Sequence, residues 1–404
     1  MPHFLADADL PFRVALAPVE PLQPESQMTD HLDRSSRLAF SPPFLWPLMM
    51  AASASAAATS FLNSVARPWL QTVGELEDTT EPLWSTDNSV ALELSSMRLR
   101  DFSTRAHGHA TLVCAPYALH EATIADFAPG HSVVQALRRA GLSRVFVTDW
   151  RSATREMRFF SIDNYLADLN VAVDELKLPV DLVGLCQGGW LALVYAARFP
   201  DKVRRLVLVG APIDVQAAES HLSRAVGNTP LSAFETLVRL GEGRVLGGHV
   251  LDAWASVLSA DEADRVLQVS RDSDAKSLPD LEARFRKWYA STVNLPGPYY
   301  LQAVDCLYKQ NQIAKGEFVA LGRRIDLADV RSPLFLLAAR DDELVAAGQV
   351  LAAARLVGSS KSMVETAVEP CGHLGRFLGA RTLAGSWTRI ARWLGDSRTV
   401  AMAS

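Results

Sequence analysis

The chain has 404 residues, with 40 Lys and Arg against 45 Asp and Glu, a formal net charge of -5. So mild a balance, without a dense Lys/Arg block, argues against a nucleic-acid partner, and the ordinary apolar content suits a soluble globular protein of one large or two smaller domains. The four cysteines, Cys114, Cys186, Cys306 and Cys371, lie far apart with no CxxC pair, which argues against a zinc site and against a disulfide-stapled fold. No basic stretch followed by an apolar core opens the chain, so the expectation is a cytoplasmic protein with reduced thiols.

Residues 1–105 show no strand–helix alternation and read as a partly helical N-terminal extension. Within it, "LAFSPPFLWPLMMAASASAAATSFLNS" (38–64) carries no charge, but Ala and Ser dominate and Pro42, Pro43 and Pro47 interrupt it. A packed helix from about Met49 is therefore preferred to a membrane span. The alternative is an interfacial helix on a lipid or polymer surface, anchored by Phe44, Leu45 and Trp46, although its polar face lacks Lys and Arg.

From His109 the rhythm changes. "ATLVCAP" (110–116) is a short apolar strand, 132–140 a helix, and "RVFVTDW" (144–150) a second strand. Residues 161–176 form a helix with Ser161 as N-cap and Tyr165, Leu169, Val173 and Leu176 on one face. "VDLVGL" (180–185) leads into Cys186 and another helix, and "VRRLVLVGAPID" (203–214) is the next strand. Residues 216–329 contain no convincing parallel strand and much helix-forming sequence. The sheet resumes at 332–345 and 362–368, and a last helix covers 386–394. Continuous Val/Leu strands alternating with helices mean a mostly parallel sheet covered on both faces. The expectation is an α/β-hydrolase fold with its core in 106–215 and 330–404 and a helical cap insertion at 216–329.

The turn "GLCQGGW" (184–190) carries the chemistry. A nucleophile on a sharp strand-to-helix turn needs small residues two before and two after it, and Gly184 and Gly188 supply them; Gly189 lets the helix approach the sheet. The helix N-terminus puts partial positive charge beside the Cys186 thiol, which favours an anionic sulfur. In this fold the acid and the base follow the nucleophile in chain order. Asp342, three before Val345, fits the acid position better than Asp341, and His373 in "EPCGHLG" fits the base. The oxyanion hole is expected from the backbone N–H of Gln187 and from the loop after the first strand, at Tyr117 or Ala118. His120 in that loop is open to two readings, lining the site or, more commonly for a lone loop histidine, a structural role, while Cys371, Cys114 and Cys306 read as packing thiols.

Residues from about Thr111 to Leu394 resemble the polyhydroxyalkanoate synthases and the intracellular polyhydroxyalkanoate depolymerases. "GLCQGG", "TDWRSATREMRFFSIDNYL", "WYASTVNLPGPYYLQAVDCLYKQNQIAKGEF" and "CGHLGRFLGARTLAGSWTRIARWL" carry the likeness. The resemblance implies a Cys186–His373–Asp342 triad acting on 3-hydroxyalkanoate polyesters, oligomers or 3-hydroxyacyl coenzyme A thioesters. It implies no cofactor beyond coenzyme A as part of a substrate, association with a polymer granule in the cytoplasm, and leaves a homodimer open. "GLCQGG" and the tryptophan-bearing tail look like synthases; "APYALHEAT", "GAPID" and "YLQAVD" look like depolymerases. Synthases usually carry Asp where this chain has Ser291 and Thr where it has Trp190, which tips the expectation slightly to ester cleavage, with polymerisation as the alternative. A generic esterase or thioesterase, and a non-catalytic granule-binding protein, are the further readings.

Overall fold

The computed structural model describes residues 83–177, 179–248, 266–267 and 278–396. The uncharged segment 38–64, with its expected helix and the Phe44–Trp46 anchor, lies outside them. Among the described residues no helix is long and apolar enough to cross a membrane.

Eight strands form one sheet: β1 (Ser89–Glu93), β2 (Met97–Asp101), β3 (Thr111–Cys114), β4 (Val145–Trp150), β5 (Val180–Leu185), β6 (Val203–Val209), β7 (Leu334–Ala339) and β8 (Val364–Glu369). Their order is β1-β2-β4-β3-β5-β6-β7-β8. From β4 to β8 every pairing is parallel, whereas β2 runs antiparallel to both β1 and β4. The strands β3, β5 and β7 are buried along their whole length, as expected for a sheet covered on both faces.

The extension assigned to 1–105 needs correcting at its end, because β1 and β2 belong to the sheet. Their signal is short. In "MRLRD" only Met97 and Leu99 alternate inward, while Arg98 and Arg100 reach out to Asp149 on β4. A period of two over five residues, interleaved with charges, is easily hidden. Strands β6 and β7 also stop earlier than the apolar runs suggested. The chain turns at Gly210 (φ +60°) and after Ala339, which leaves Asp342 in a loop beyond the sheet.

Helices α1 (Val133–Arg139), α2 (Ile162–Glu175) and α3 (Gln187–Arg198) follow β3, β4 and β5 in turn. Ser132 caps α1 by accepting from the Gln135 N–H. At α2 the Asn164 side chain accepts from the Ser161 N–H, and Tyr165, Leu169, Val173 and Leu176 are all buried. Between β6 and β7 lie α4 (His221–Asn228), α5 (Leu231–Leu240), α6 (Leu278–Ala290), α7 (Gly297–Gln302) and a π-helical turn, Ala303–Lys309. Described residues there add only two-residue antiparallel ladders.

The last helix, α8 (Thr388–Gly395), is tied to the sheet at its C-terminus. Arg205, fully buried on β6, donates to the carbonyls of Trp393, Leu394 (2.8 Å) and Asp396, and Arg204 donates to Leu394 and to the buried Asp181 carboxylate. These carbonyls have no partner within the helix, so the guanidinium groups satisfy what the helix end leaves open. Arg205→Met is therefore expected to lose about 2 kcal/mol or more of stability, since buried carbonyls are left unpaired. Arg389→Ala, which removes an exposed 2.8 Å pair with Glu365, should stay within about 0.5 kcal/mol. Urea melts of the two variants check the contrast; equal losses would contradict it.

Candidate active site

The C-terminal ends of β3, β5, β7 and β8 converge where strand order reverses beside β3, the place where open α/β sheets receive ligands. Cys186 stands between β5 and α3 with φ 49° and ψ -117°, a conformation costly for a side-chain-bearing residue. Its N–H donates to Val209 O (2.8 Å), and its carbonyl accepts from Gly189 (2.9 Å). The glycines around it are packed hard: a Cβ on Gly184 would lie 2.5 Å from Gly189 Cα, and one on Gly188 would lie 2.2 Å from Cys114 O. Gly189 meets Ala211 in the same way, so α3 sits as close to the sheet as the turn requires.

The structure brings Cys186, His373 and Asp342 together. His373 Nε2 is 3.2 Å from Cys186 Sγ, and His373 Nδ1 is 2.9 Å from Asp342 Oδ2. Asp342 Oδ1 is occupied separately, accepting from the Leu344 and Val345 N–H groups at 2.8 and 2.9 Å. That is the physical content of the acid-x-x-Val spacing: the backbone turns around one carboxylate oxygen and aims the other at the imidazole. Asp341, by contrast, is exposed and pairs with its neighbour Arg340 at 3.0 Å.

Arg376, which the sequence reading did not single out, is the fourth member. It is fully buried, donates to Asp342 Oδ2, and lies 2.7 Å from His373 Nδ1. Gly210 makes room for it, since a Cβ there would fall 2.4 Å from the guanidinium carbon. The available signal was a lone charge inside the apolar run "HLGRFLG", immediately after the histidine. Burial alone would raise the Asp342 pKa, but Arg376 and His373 outweigh it and hold the carboxyl well below its usual range. Burial likewise opposes charge on His373; Asp342 and the Cys186 sulfur overcome it and push the imidazole up to about 9, with Arg376 pulling against them.

Gln187 opens α3, in the first turn, where N–H groups lack helical acceptors. Across the cavity, the loop after β3 is held at several points. Thr148 Oγ1 accepts from the Ala115 N–H (3.0 Å), and Trp150 Nε1 donates to Ala115 O (2.9 Å). Tyr299 Oη donates to Tyr117 O at 3.1 Å. Among the described residues neither the Tyr117 nor the Ala118 N–H has an acceptor. The Tyr117 side chain turns away into an aromatic cluster with Tyr165, Trp150 and Tyr299. His120 does line the cavity, in tilted ring contact with Trp288 and Tyr289, and burial lowers its pKa to about 4.

The cavity over Cys186 has a volume of about 220 Å³. Besides the groups above it is walled by Leu222, Val226, Phe234, Tyr300, Val304 and Tyr308 from the helices between β6 and β7. Cys114 is buried under the site, its thiol pushed up to about 12 by desolvation. Cys371 is buried too, whereas Cys306 is half-buried rather than enclosed.

Residues 126–380 match the profile of the α/β hydrolase fold. A poly(3-hydroxyalkanoate) polymerase subunit from Synechocystis is 30% identical over 298 residues, covering 70% of this chain and 76% of that protein. The chain belongs to the α/β-hydrolase fold family, and within it to the poly(3-hydroxyalkanoate) polymerase family. A polymerase subunit from Haloferax mediterranei is 24% identical over 83% of this chain and 68% of its own length. A solved monoacylglycerol lipase from Paleococcus ferrophilus aligns with a TM-score of 0.49 at 17% identity, over 74% of this chain and 98% of that one.

Asp342 contributes the largest favourable effect on the His373 charge, while burial and Arg376 oppose it. Asp342→Asn should therefore drop the imidazole titration from near 9 to below the ordinary histidine value of about 6.5. Histidine NMR across pH 5–10 on both proteins measures this; an unchanged titration would show that Asp342 does not control the ring.

Proposed function

We propose that this protein is a cysteine-dependent acyltransferase that extends a 3-hydroxyalkanoate polyester from 3-hydroxyacyl coenzyme A thioesters. The observation that carries the reading is a cysteine on the strained turn, 3.2 Å from His373 Nε2, in a chain whose relatives are polymerase subunits. A thiol nucleophile suits a thioester donor, because acyl exchange between two sulfurs is close to isoenergetic.

In the first half-reaction the Cys186 sulfur attacks the thioester carbonyl. The developing oxyanion is received by the Gln187 N–H and by the N–H of Ala118 or Tyr117. The coenzyme A sulfur leaves as the thiol, taking the proton from His373 Nε2. In the second, an acceptor hydroxyl gives its proton to Nε2 while its oxygen attacks the acyl-cysteine, and the Cys186 sulfur departs. One thioester is consumed, one ester is formed and one coenzyme A thiol is released. Asp342 stays ionised throughout, fixing the ring and stabilising the imidazolium.

The slight lean to ester cleavage gives way here. It rested on the depolymerase-like stretches and on Trp190 and Ser291; among the described residues neither of those two side chains hydrogen-bonds to Cys186, His373 or Asp342, since Trp190 donates to Gln187 and Ser291 to Glu121. Likeness to polymerase subunits over about two-thirds of the chain favours an alcohol over water as acyl acceptor.

Intact mass after exposure to 3-hydroxybutyryl coenzyme A should show one acyl group on the wild-type chain and none on Cys186→Ala, with coenzyme A release accompanying polymer growth. Cys186→Ala should lose at least about 10³-fold in turnover. Release of free 3-hydroxy acid from amorphous polyester, without incorporation from the thioester, would assign cleavage instead.

A further inference from the structure

Trp190 stands immediately after the double glycine, nearly fully buried. An indole nitrogen only donates, so the Gln187 side-chain atom 2.5 Å from it is the oxygen. The amide orientation is thereby settled by chemistry, and Gln187 Nε2 donates in the other direction to Tyr308 Oη at 2.8 Å. The Tyr308 phenol is thus committed as an acceptor, and its own hydrogen has no acceptor among the described residues. Burial keeps that phenol protonated far above its usual range.

Tyr308 belongs to the π-helical turn Ala303–Lys309, an irregularity that is frequent at functional sites. It lines the same cavity as Cys186 and His373 and is close enough to feel the charge on the sulfur. The two histidines of that wall are already engaged: His373 Nε2 faces the sulfur and His120 Nδ1 faces Ser291 O. Tyr308 is partly buried at the wall of a largely apolar cavity, where its donor gains a partner when a ligand brings an oxygen. An acyl group on Cys186 has its carbonyl oxygen directed to the backbone N–H groups; the other oxygen a 3-hydroxyacyl group offers is the one on carbon 3.

We infer that the Tyr308 hydroxyl, oriented through Trp190 and Gln187, donates to the 3-oxygen of the acyl group on Cys186 and so selects 3-hydroxyacyl over unsubstituted acyl thioesters. The contact serves a free 3-hydroxyl and a chain's ester oxygen alike. Tyr308 is then a specificity residue, and Trp190 a positioning residue acting through Gln187. The inference rests on the acyl-cysteine reading above.

The test compares Cys186 acylation, by intact mass and coenzyme A release, with 3-hydroxybutyryl and with butyryl coenzyme A. Tyr308→Phe should slow acylation by the 3-hydroxy thioester roughly 10- to 100-fold and leave the butyryl rate within about twofold. Trp190→Phe, which frees the Gln187 amide to flip, should lose part of the same preference. Equal slowing with both thioesters would mark a generic packing role and overturn the inference, as would no change with either. Absence of any adduct on the wild-type chain would overturn the proposed function and this inference with it; adducts that ignore Tyr308 overturn the inference alone.

Discussion

The site depends on one strained residue being held in place. Cys186, at positive φ, carries a backbone cost of roughly 1–3 kcal/mol, and it persists because the surroundings leave it no alternative. Its N–H is fixed on β6, its carbonyl starts α3, and the three glycines let helix and strand approach to distances a Cβ would forbid. The fully buried body of α3 supplies the apolar burial that offsets the strain. Every other feature of the cavity is positioned relative to that turn.

The charges behind the thiol are arranged in opposition. One oxygen of Asp342 is taken by two backbone N–H groups and the other is shared by His373 and Arg376. Arg376 keeps the carboxylate ionised although it is buried, yet the same guanidinium opposes positive charge on the imidazole. The basicity of His373 is thus set by three groups rather than by a carboxylate alone. A buried ion pair of this kind says little about stability and much about which protonation states the site can reach.

Much of this was legible along the chain. The Val/Leu strands, the glycine-bounded cysteine, and the order Cys186, Asp342, His373 each follow from a local rule about strand burial, turn sterics or chain topology. Asp342 could be preferred to Asp341 because the carboxylate three residues before Val345 can fold back onto its own backbone. Where the local signal was weak the reading failed: β1 and β2 were assigned to an extension because their inward positions number so few among arginines.

Relations between residues far apart in sequence had no such rule. The sequence by itself determined the parallel sheet and the glycine-bounded turn at Cys186, and named Asp342 and His373 as the two residues to face it, since each rests on a pattern readable along the chain. Only the tertiary structure decided that Arg376 joins Asp342, that Gly210 leaves space for it, and that Tyr299 pins the loop facing the thiol. It also joined Trp190, through the Gln187 side chain, to the Tyr308 hydroxyl. Hydrogen bonds spanning from Gln187 to Tyr308 depend on which helix folds over the cavity, and periodicity or spacing along the chain carries no record of that choice.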